Sequence, residues 1–206
     1  MLASGAVGTS VIENFLLSAD CKSTLSAVKA FGAGVKRKGS TVTVSGAKFS
    51  SPAKAVDCGN SGTTVRLLAG FAAGRGVKAV FTGDESLSRR PMKRVTEPLK
   101  LMGASITCKN GRLPMKLKNA PLHGINYTMP VASAQVKSAL LLAALGASDE
   151  MRINEKIISR DHSERMLPMF GVKISSSAGK IRMKCGQKLK ACRIKVPGDI
   201  SSAAFF

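Results

Sequence analysis

Apolar, small and polar residues along the chain form a pattern that repeats three times. Three runs with helical periodicity end on a large apolar residue followed by glycine: Phe31-Gly32, Met102-Gly103 and Phe170-Gly171. The three large residues lie 71 and 68 positions apart. Glycine just past the last helical residue favours a left-handed C-terminal cap, so each run is predicted to be a helix that ends there.

Short strand-like runs separated by turn residues follow each predicted helix end. The predicted strands span residues 40–44 in the first repeat, 105–108 and 113–117 in the second, and 172–175 and 180–184 in the third. Between them stand Lys38-Gly39, Asn110-Gly111 and Ala178-Gly179, which are typical of tight hairpins.

A second set of helices is predicted where apolar runs rich in small residues follow polar or glycine-bearing turns, at 61–73, 134–147 and 201–206. Strands at 11–15, 78–82 and 151–154 complete the pattern. Each unit therefore reads strand, helix, strand, helix, strand, strand, and we expect one α/β domain over residues 1–206 with units at about 1–59, 60–130 and 131–200. Residues 2–5 have the pattern of a helix tail, and residues 205–206 that of a helix beginning.

Composition excludes several classes of protein. Hydrophobic residues make up 44% of the 206 positions and charged residues 21%, which is a globular balance. The longest apolar run, 139–147, is shorter than the roughly 18 residues that a membrane span needs, and no secretory signal is recognised at the start. The five cysteines form no CxxC pair, which favours reduced thiols in the cytoplasm. His123 and His162 lack ligand spacing, so no zinc site is expected.

Net charge adds a preference for anions. Lys and Arg total 32 against 12 Asp and Glu, a formal charge of +20 that attracts nucleic acid or phosphorylated metabolites. Aromatic residues are only 4%, too few for stacking on single strands, and no nucleic-acid-binding module is recognised. Nucleic acid is therefore the disfavoured partner, and an ordinary solvated basic surface also accounts for the charge.

Candidate anion sites are the starts of the predicted helices. The turn at 59–66 and the start at 133–137 would aim free backbone N–H groups and the helix dipole at a ligand. Arginines in the loops at 88–92 and 159–164 suit carboxylate and phosphate. Taken singly, each feature is also explained by an N-cap or an exposed ion pair. The repeat changes this balance, because corresponding helix starts in pseudo-symmetric units lie close together.

Five segments carry longer motifs in a consistent order and spacing. They are Gly-Asn-Ser-Gly-Thr-Thr-Val-Arg-Leu at 59–67, Phe-Thr-Gly-Asp-Glu-Ser-Leu-Ser-Arg-Arg-Pro-Met at 81–92, Ser-Ala-Gln-Val-Lys-Ser-Ala at 133–139, Ser-Arg-Asp-His-Ser-Glu-Arg-Met-Leu at 159–167 and Val-Pro-Gly-Asp-Ile-Ser-Ser-Ala at 196–203. Together they resemble the 5-enolpyruvylshikimate-3-phosphate synthase (EPSP synthase) family, in its bacterial form.

The resemblance implies a fold and a reaction. The family's domains are built from three βαβαββ units around a pseudo-threefold axis, with helices inside and sheets outside. The family transfers the enolpyruvyl group of phosphoenolpyruvate to the 5-hydroxyl of shikimate 3-phosphate and releases phosphate, on the route to chorismate. It needs no metal and no organic cofactor.

The resemblance also implies roles for residues of this chain. Ser133, the backbone at Ala134, and Arg160 resemble the clamp on the shikimate phosphate, and Gln135 resembles the group that lies against the shikimate ring. The phosphoenolpyruvate-binding residues implied in the same way are Asn60, Gly62, Thr63 and Arg90. Glycine at position 62 also leaves room for the inhibitor glyphosate, so sensitivity to it is expected.

The departures from the family pattern limit this expectation. The family's first Lys-Ser-bearing segment has no match here, and neither does the C-terminal domain that supplies proton-transferring carboxylates. The chain alone is therefore expected to bind shikimate 3-phosphate weakly, without a complete set of catalytic residues and without turnover. Two alternatives stay open: a basic domain that binds anions or nucleic acid, and a relative that acts on UDP-N-acetylglucosamine.

Overall fold

The computed structural model describes residues 1–198. A buried 3₁₀ helix, Leu2–Gly5, precedes the other elements. The helices are α1 (Ala19–Ala30), α2 (Gly62–Gly74), α3 (Glu85–Arg89), α4 (Lys93–Leu101), α5 (Ala134–Ala144) and α6 (His162–Met169). The strands are β1 (Ala6–Val7), β2 (Thr9–Glu13), β3 (Gly34–Lys38), β4 (Thr41–Ser45), β5 (Val56–Asp57), β6 (Ala79–Thr82), β7 (Ser105–Lys109), β8 (Arg112–Lys118), β9 (Asn126–Met129), β10 (Glu150–Glu155), β11 (Ser175–Ser177), β12 (Lys180–Lys184), β13 (Leu189–Lys190) and β14 (Arg193–Lys195).

Three four-stranded sheets share one topology. Their strand orders are β5-β6-β8-β7, β9-β10-β12-β11 and β14-β2-β4-β3. In each sheet the first pair is parallel and the other two pairs are antiparallel. In two of the sheets a helix joins the two parallel strands, α2 between β5 and β6 and α5 between β9 and β10, because parallel strands need a crossover connection.

The predicted order of strand, helix, strand, helix, strand, strand is confirmed in two repeats. One runs β5-α2-β6-α4-β7-β8, with α3 as an extra turn, and the other runs β9-α5-β10-α6-β11-β12. The remaining sheet joins distant parts of the chain, because β14 pairs in parallel with β2. The division into units at 1–59, 60–130 and 131–200 stays a prediction.

The predicted helix ends are confirmed, and their glycines explain them. α1, α4 and α6 have Phe31, Met102 and Phe170 as C-terminal caps. The next residues are glycines with φ of 101°, 101° and 80°, a left-handed conformation that glycine adopts at little cost. The hairpin turns at Asn110-Gly111 and Ala178-Gly179 are also confirmed, since all four residues have positive φ.

Other predicted boundaries were wrong by a few residues. The strand expected at 172–175 begins only at Ser175, because Val172 is buried and its N–H donates to the Leu167 carbonyl of α6. α5 ends at Ala144 and not at 147, and Gly146 packs against the end of α2. The strand expected at 11–15 is β2, which begins and ends two residues earlier, at Thr9 and Glu13. The first hairpin turn lies one residue later than expected, at 39–40.

The core is centred on the contact between α2 and α5. Nine consecutive residues of α5, Val136 to Ala144, are buried, which marks a helix enclosed on all sides. The two backbones approach closely at glycines: a methyl group on Gly70 would lie 2.1 Å from the Ala139 carbonyl oxygen, and one on Gly74 would lie 2.3 Å from that of Ala143. Helices inside and sheets outside agree with the expected fold class.

The C-terminal predictions and the expected absence of a membrane span are considered for residues 1–198. The helix predicted at 201–206 and most of the motif at 196–203 lie outside the described residues. Within residues 1–198, no helix has both the length and the apolar character needed to cross a bilayer.

Candidate functional site

The start of α2 is shaped by a tight turn after β5. Gly59 has a φ of 54°, and its N–H donates to Asp57 Oδ1 at 2.9 Å. Ser61 caps the helix by accepting from the Thr64 N–H at 3.2 Å. The N–H groups of the first helical turn have no partner within the helix, so Gly62 and Thr63 stand where an anion is stabilised.

Asn60 and Arg90 are fixed by a short chain of hydrogen bonds over this helix start. Arg90 Nη2 donates to Asn60 Oδ1 at 2.6 Å, and Asn60 Nδ2 donates to Asp84 Oδ2 at 2.8 Å. Asp84 also caps α3 by accepting from Leu87 N–H. The bonds from Leu87 N–H and Asn60, together with the charge of Arg90, hold the pKa of Asp84 below its ordinary value, so it stays a carboxylate.

Arg66 adds a second guanidinium beside Arg90. Its Nη1 donates to Gln135 Oε1 at 3.0 Å and to the Gly62 carbonyl at 3.3 Å, and its Nη2 donates to the Pro91 carbonyl at 3.3 Å. Burial, followed by the charges of Arg90 and Arg94, lowers its pKa. Within residues 1–198, none of these three arginines forms an ion pair. Clustered cations without a carboxylate partner favour a ligand that brings negative charge.

Gln135 joins the two helix starts. Its Nε2 donates to Thr63 Oγ1 of α2 at 2.9 Å, while its Oε1 accepts from Arg66. Ser133 caps α5 by accepting from the Val136 N–H at 3.4 Å. The residues expected to bind phosphoenolpyruvate and those expected to bind shikimate 3-phosphate are therefore directly connected.

A cavity of about 260 Å³ opens between α2, α5 and the start of α6. Four residues singled out in the sequence line it: Thr63, Ala134, Gln135 and Arg160. Leu67, Ser138, His162, Ser163 and Met166 complete the lining. Arg160 is exposed, and in the described part of the chain no carboxylate pairs with it. The cavity is thus bordered by one unpaired cation, a helix N-terminus and an amide. The cavity lining does not include Ser133, Asn60, Gly62 or Arg90. The last three, together with Arg66, form the adjoining arginine-rich surface.

Sequence reasoning missed a buried ionic cluster behind this cavity. The side chain of Lys137, a polar residue in the first turn of α5, is fully buried. Its ammonium lies 2.9 Å from Glu155 and 2.6 Å from Glu164. Spacing along the chain gives no sign of this contact, since the partners come from β10 and α6. Arg66 was not among the predicted binding residues, and its hydrogen bond to Gln135 depends on how two repeats pack.

Comparisons with known proteins agree with this geometry. A family model described as EPSP synthase (3-phosphoshikimate 1-carboxyvinyltransferase) matches residues 1–206. Curated 3-phosphoshikimate 1-carboxyvinyltransferases of Bacillus subtilis and Bacillus licheniformis are 48% and 47% identical over 211 residues, and both alignments cover 100% of this chain. The solved EPSP synthase of Acinetobacter baumannii superposes with a TM-score of 0.94 at 43% identity and covers 100% of this chain.

The extent of these matches is unequal. This chain spans about half the length of the curated relatives it matches, 49% of each Bacillus protein, and 48% of the Acinetobacter chain. The superposition confirms the predicted fold class.

Proposed function

Because this chain belongs to the EPSP synthase family, we propose that it provides one wall of an enolpyruvyl transfer site and binds shikimate 3-phosphate on it. The observation that carries the proposal is the bridge from Thr63 through Gln135 to Arg66. These contacts join residues predicted for the two substrates, which supports the proposal because transfer requires both substrates to be bound side by side.

The cavity between α2, α5 and α6 is assigned to shikimate 3-phosphate. Its phosphate would accept hydrogen bonds from the N–H at Ala134 and from the Arg160 guanidinium, which line the cavity, and from the hydroxyl of Ser133, the residue before Ala134 and outside that lining. This set combines a helix N-terminus with a charged donor. Gln135 lies between this position and α2, where it would contact the ring of the substrate.

The adjoining surface is assigned to phosphoenolpyruvate. Gly62 and Thr63 offer backbone N–H groups, and Asn60 holds Arg90 over them. Arg66 stands within the same cluster, so it is added to the residues that the sequence indicated. The absence of an ion pair on Arg66 and Arg90 in the described residues supports a doubly charged phosphate ester as the ligand.

The proposed reaction is addition followed by elimination. The 5-hydroxyl of shikimate 3-phosphate loses its proton as its oxygen bonds to the enol carbon of phosphoenolpyruvate, while the methylene carbon takes up a proton. The C–O bond to phosphate then breaks, the methyl group returns a proton, and inorganic phosphate leaves with its bonding electrons. The described residues would contribute positioning and charge stabilisation to these steps.

We propose that the chain alone binds shikimate 3-phosphate weakly and does not turn over. No complete set of proton-transferring groups is assigned among its residues, and its relatives are about twice as long. Residues corresponding to the other half of those relatives would complete the site. The cytoplasm is the proposed location, in keeping with the five thiols that form no CxxC pair.

Thermal unfolding with added ligands tests the assignment. A ligand that binds only the folded chain raises its stability by mass action. Shikimate 3-phosphate should raise the melting temperature more than equal concentrations of citrate or ATP at moderate salt, and Arg160→Met should remove that difference. The variant Lys180→Met, at an exposed strand position, serves as the charge-matched control.

Each contrary result has a distinct meaning. Equal shifts of the melting temperature for all anions would mean that they bind through general attraction to a chain with a net charge of +20. A larger shift with a UDP-sugar, or tight and steeply salt-dependent binding of duplex DNA, would favour one of the alternative functions. Product formation by the pure chain would contradict the absence of turnover.

A further inference from the structure

The buried ionic cluster of Lys137, Glu155 and Glu164 lies directly behind the cavity wall. Lys137 belongs to the same turn of α5 as Gln135, and its ammonium reaches β10 and α6 at once. Burial alone would lower the pKa of Lys137, but hydrogen bonds to Glu164 and Glu155 and their charges raise it. The side chain is therefore a fixed cation that binds three elements together.

The first connection runs to the residue that precedes Arg160. Glu155 Oε1 accepts from the Ser159 N–H at 3.2 Å and from its hydroxyl at 2.5 Å. Lys137 Nζ donates to the Ser159 carbonyl at 3.5 Å. All three polar groups of Ser159 are thus held by the cluster, although the neighbouring Ile157 and Ile158 are exposed.

The second connection runs to the helix that follows Arg160. Glu164, in the first turn of α6, is bound by Lys137, and Ser163 Oγ lies 2.6 Å from Ser138 Oγ of α5. Arg160 itself is exposed and has no carboxylate partner within residues 1–198. Its place is therefore set by the anchored residues on either side of it.

We propose that Lys137 is a positioning residue, which acts through Ser159 and the first turn of α6 to hold Arg160 at the cavity that Ala134 and Gln135 also line. The choice of shikimate 3-phosphate as the ligand rests on the proposed function. The proposal that Lys137 holds residues 156–165 in place does not depend on it.

Stability alone is a poor reason for this cluster. Two carboxylates share one ammonium, and Glu164 Oε2 is buried and has no hydrogen-bond partner among residues 1–198. Replacing a buried ionic group by apolar residues of similar volume is often neutral or stabilising, whereas removing one partner leaves a charge unpaired. The cluster does supply a fixed geometry between α5 and the Arg160 loop, which a ligand site requires.

A double-mutant cycle in the 206-residue chain tests the proposal. Lys137→Met keeps the length and volume of the side chain but removes the ammonium, and Arg160→Lys keeps the charge but not the guanidinium fork. Calorimetric titration with shikimate 3-phosphate should show roughly a tenfold loss of affinity for Lys137→Met, the scale seen when support of a ligating group is removed. In the Arg160→Lys background, Lys137→Met should lower the affinity by less than about threefold, because the effects of interacting residues are not additive.

Two further variants separate positioning from folding. Lys180→Met removes one exposed lysine and should leave affinity unchanged. The triple variant Lys137→Met, Glu155→Met, Glu164→Met leaves no unpaired charge and should melt above Lys137→Met, yet it should keep the tenfold loss of affinity. If the single variant does not fold, the triple variant takes its place in the cycle.

Hydrogen exchange measured by mass spectrometry provides the readout that needs no ligand. Peptides covering 156–165 should exchange faster in the folded Lys137 variants, while peptides from α2 keep their protection. Unchanged exchange in 156–165, wild-type affinity, or a full loss that persists in the Arg160→Lys background would each overturn the proposal. If the wild-type chain fails to bind shikimate 3-phosphate, the proposed function fails, and the exchange result alone decides whether Lys137 holds this segment.

Discussion

Gly62 lies in the first turn of α2, where the tips of two arginine side chains fill the space next to its α-carbon. A methyl group there would lie 2.6 Å from Nη1 of Arg66 and 3.3 Å from Nη1 of Arg90. Since the ends of long side chains move easily, Gly62→Ala should change the free energy of unfolding by less than about 1 kcal/mol. It should, however, push Arg66 away from Gln135 and weaken binding of phosphoenolpyruvate and inorganic phosphate by roughly 3- to 10-fold.

Chemical denaturation and anion titration, performed on the same variant, check both parts of this prediction. Gly198→Ala is the control, because among the described residues, 1–198, nothing lies within 4 Å of a methyl group at that position. A large loss of stability in Gly62→Ala with unchanged anion affinity would mean that Arg66 has no role in binding.

Residues of the site were predictable to different degrees. Thr63 and Gln135 could be picked out because polar side chains at helix starts have a recognisable chemistry, and the structure places them 2.9 Å apart. Lys137 could not be recognised, because a lysine one turn into a helix is usually solvated. Its burial depends on Glu155 and Glu164, which only the packing of β10 and α6 brings to it.

At the scale of elements, α2 and α5 pack with their backbones nearly in contact. A methyl group on Gly70 would meet the carbonyl oxygen, carbonyl carbon and α-carbon of Ala139 at 2.1, 2.7 and 2.9 Å. Gly70→Ala should therefore destabilise the chain by about 3 kcal/mol or more, the upper end for overpacking, even though alanine is the better helix former. Urea unfolding measures this, and Ala139→Gly should not rescue the variant because the clash is with backbone.

The exposed helix position Ser26 provides the matched comparison. There Ala should be more stable than Gly by about 1 kcal/mol, which gives the helix propensity alone. If Gly70→Ala made the chain more stable, as alanine in place of glycine should at position 26, then α2 and α5 could separate at no cost in free energy.

Helix ends were the most predictable elements and long-range pairing the least. Glycine after Phe31, Met102 and Phe170 stops a helix for a local reason, its left-handed backbone conformation. The pairing of β14 with β2 joins residues about 180 positions apart, through contacts such as Asn14 Nδ2 to the Val196 carbonyl. No periodicity within either strand specifies this partner, because short alternating runs pair equally well with many others.

At the scale of the whole molecule, two buried thiols report on different parts of the fold. Cys58 follows β5, and Cys185 follows β12 in another sheet. Burial, and then the charge of Asp57, raises the pKa of Cys58 to about 12. Burial, and then the charge of Asp149, raises the pKa of Cys185 to about 11. Both groups are therefore protonated and unreactive at pH 8 in the folded chain, because the thiolate is the nucleophile.

We propose that residues 1–206 unfold as one domain, and these thiols test it. In unfolded chain the ordinary thiol pKa of about 8.5 restores reactivity, so iodoacetamide labelling at pH 8 follows opening of each site. If opening is cooperative, peptide mass spectrometry should find Cys58 and Cys185 labelled with the same dependence on urea. Labelling of Cys185 at much lower urea would contradict a single domain, because the sheet of β12 would then open while that of β5 stays folded. Cys21 is only half-buried and serves as the internal control, since its labelling should depend less on urea in either case.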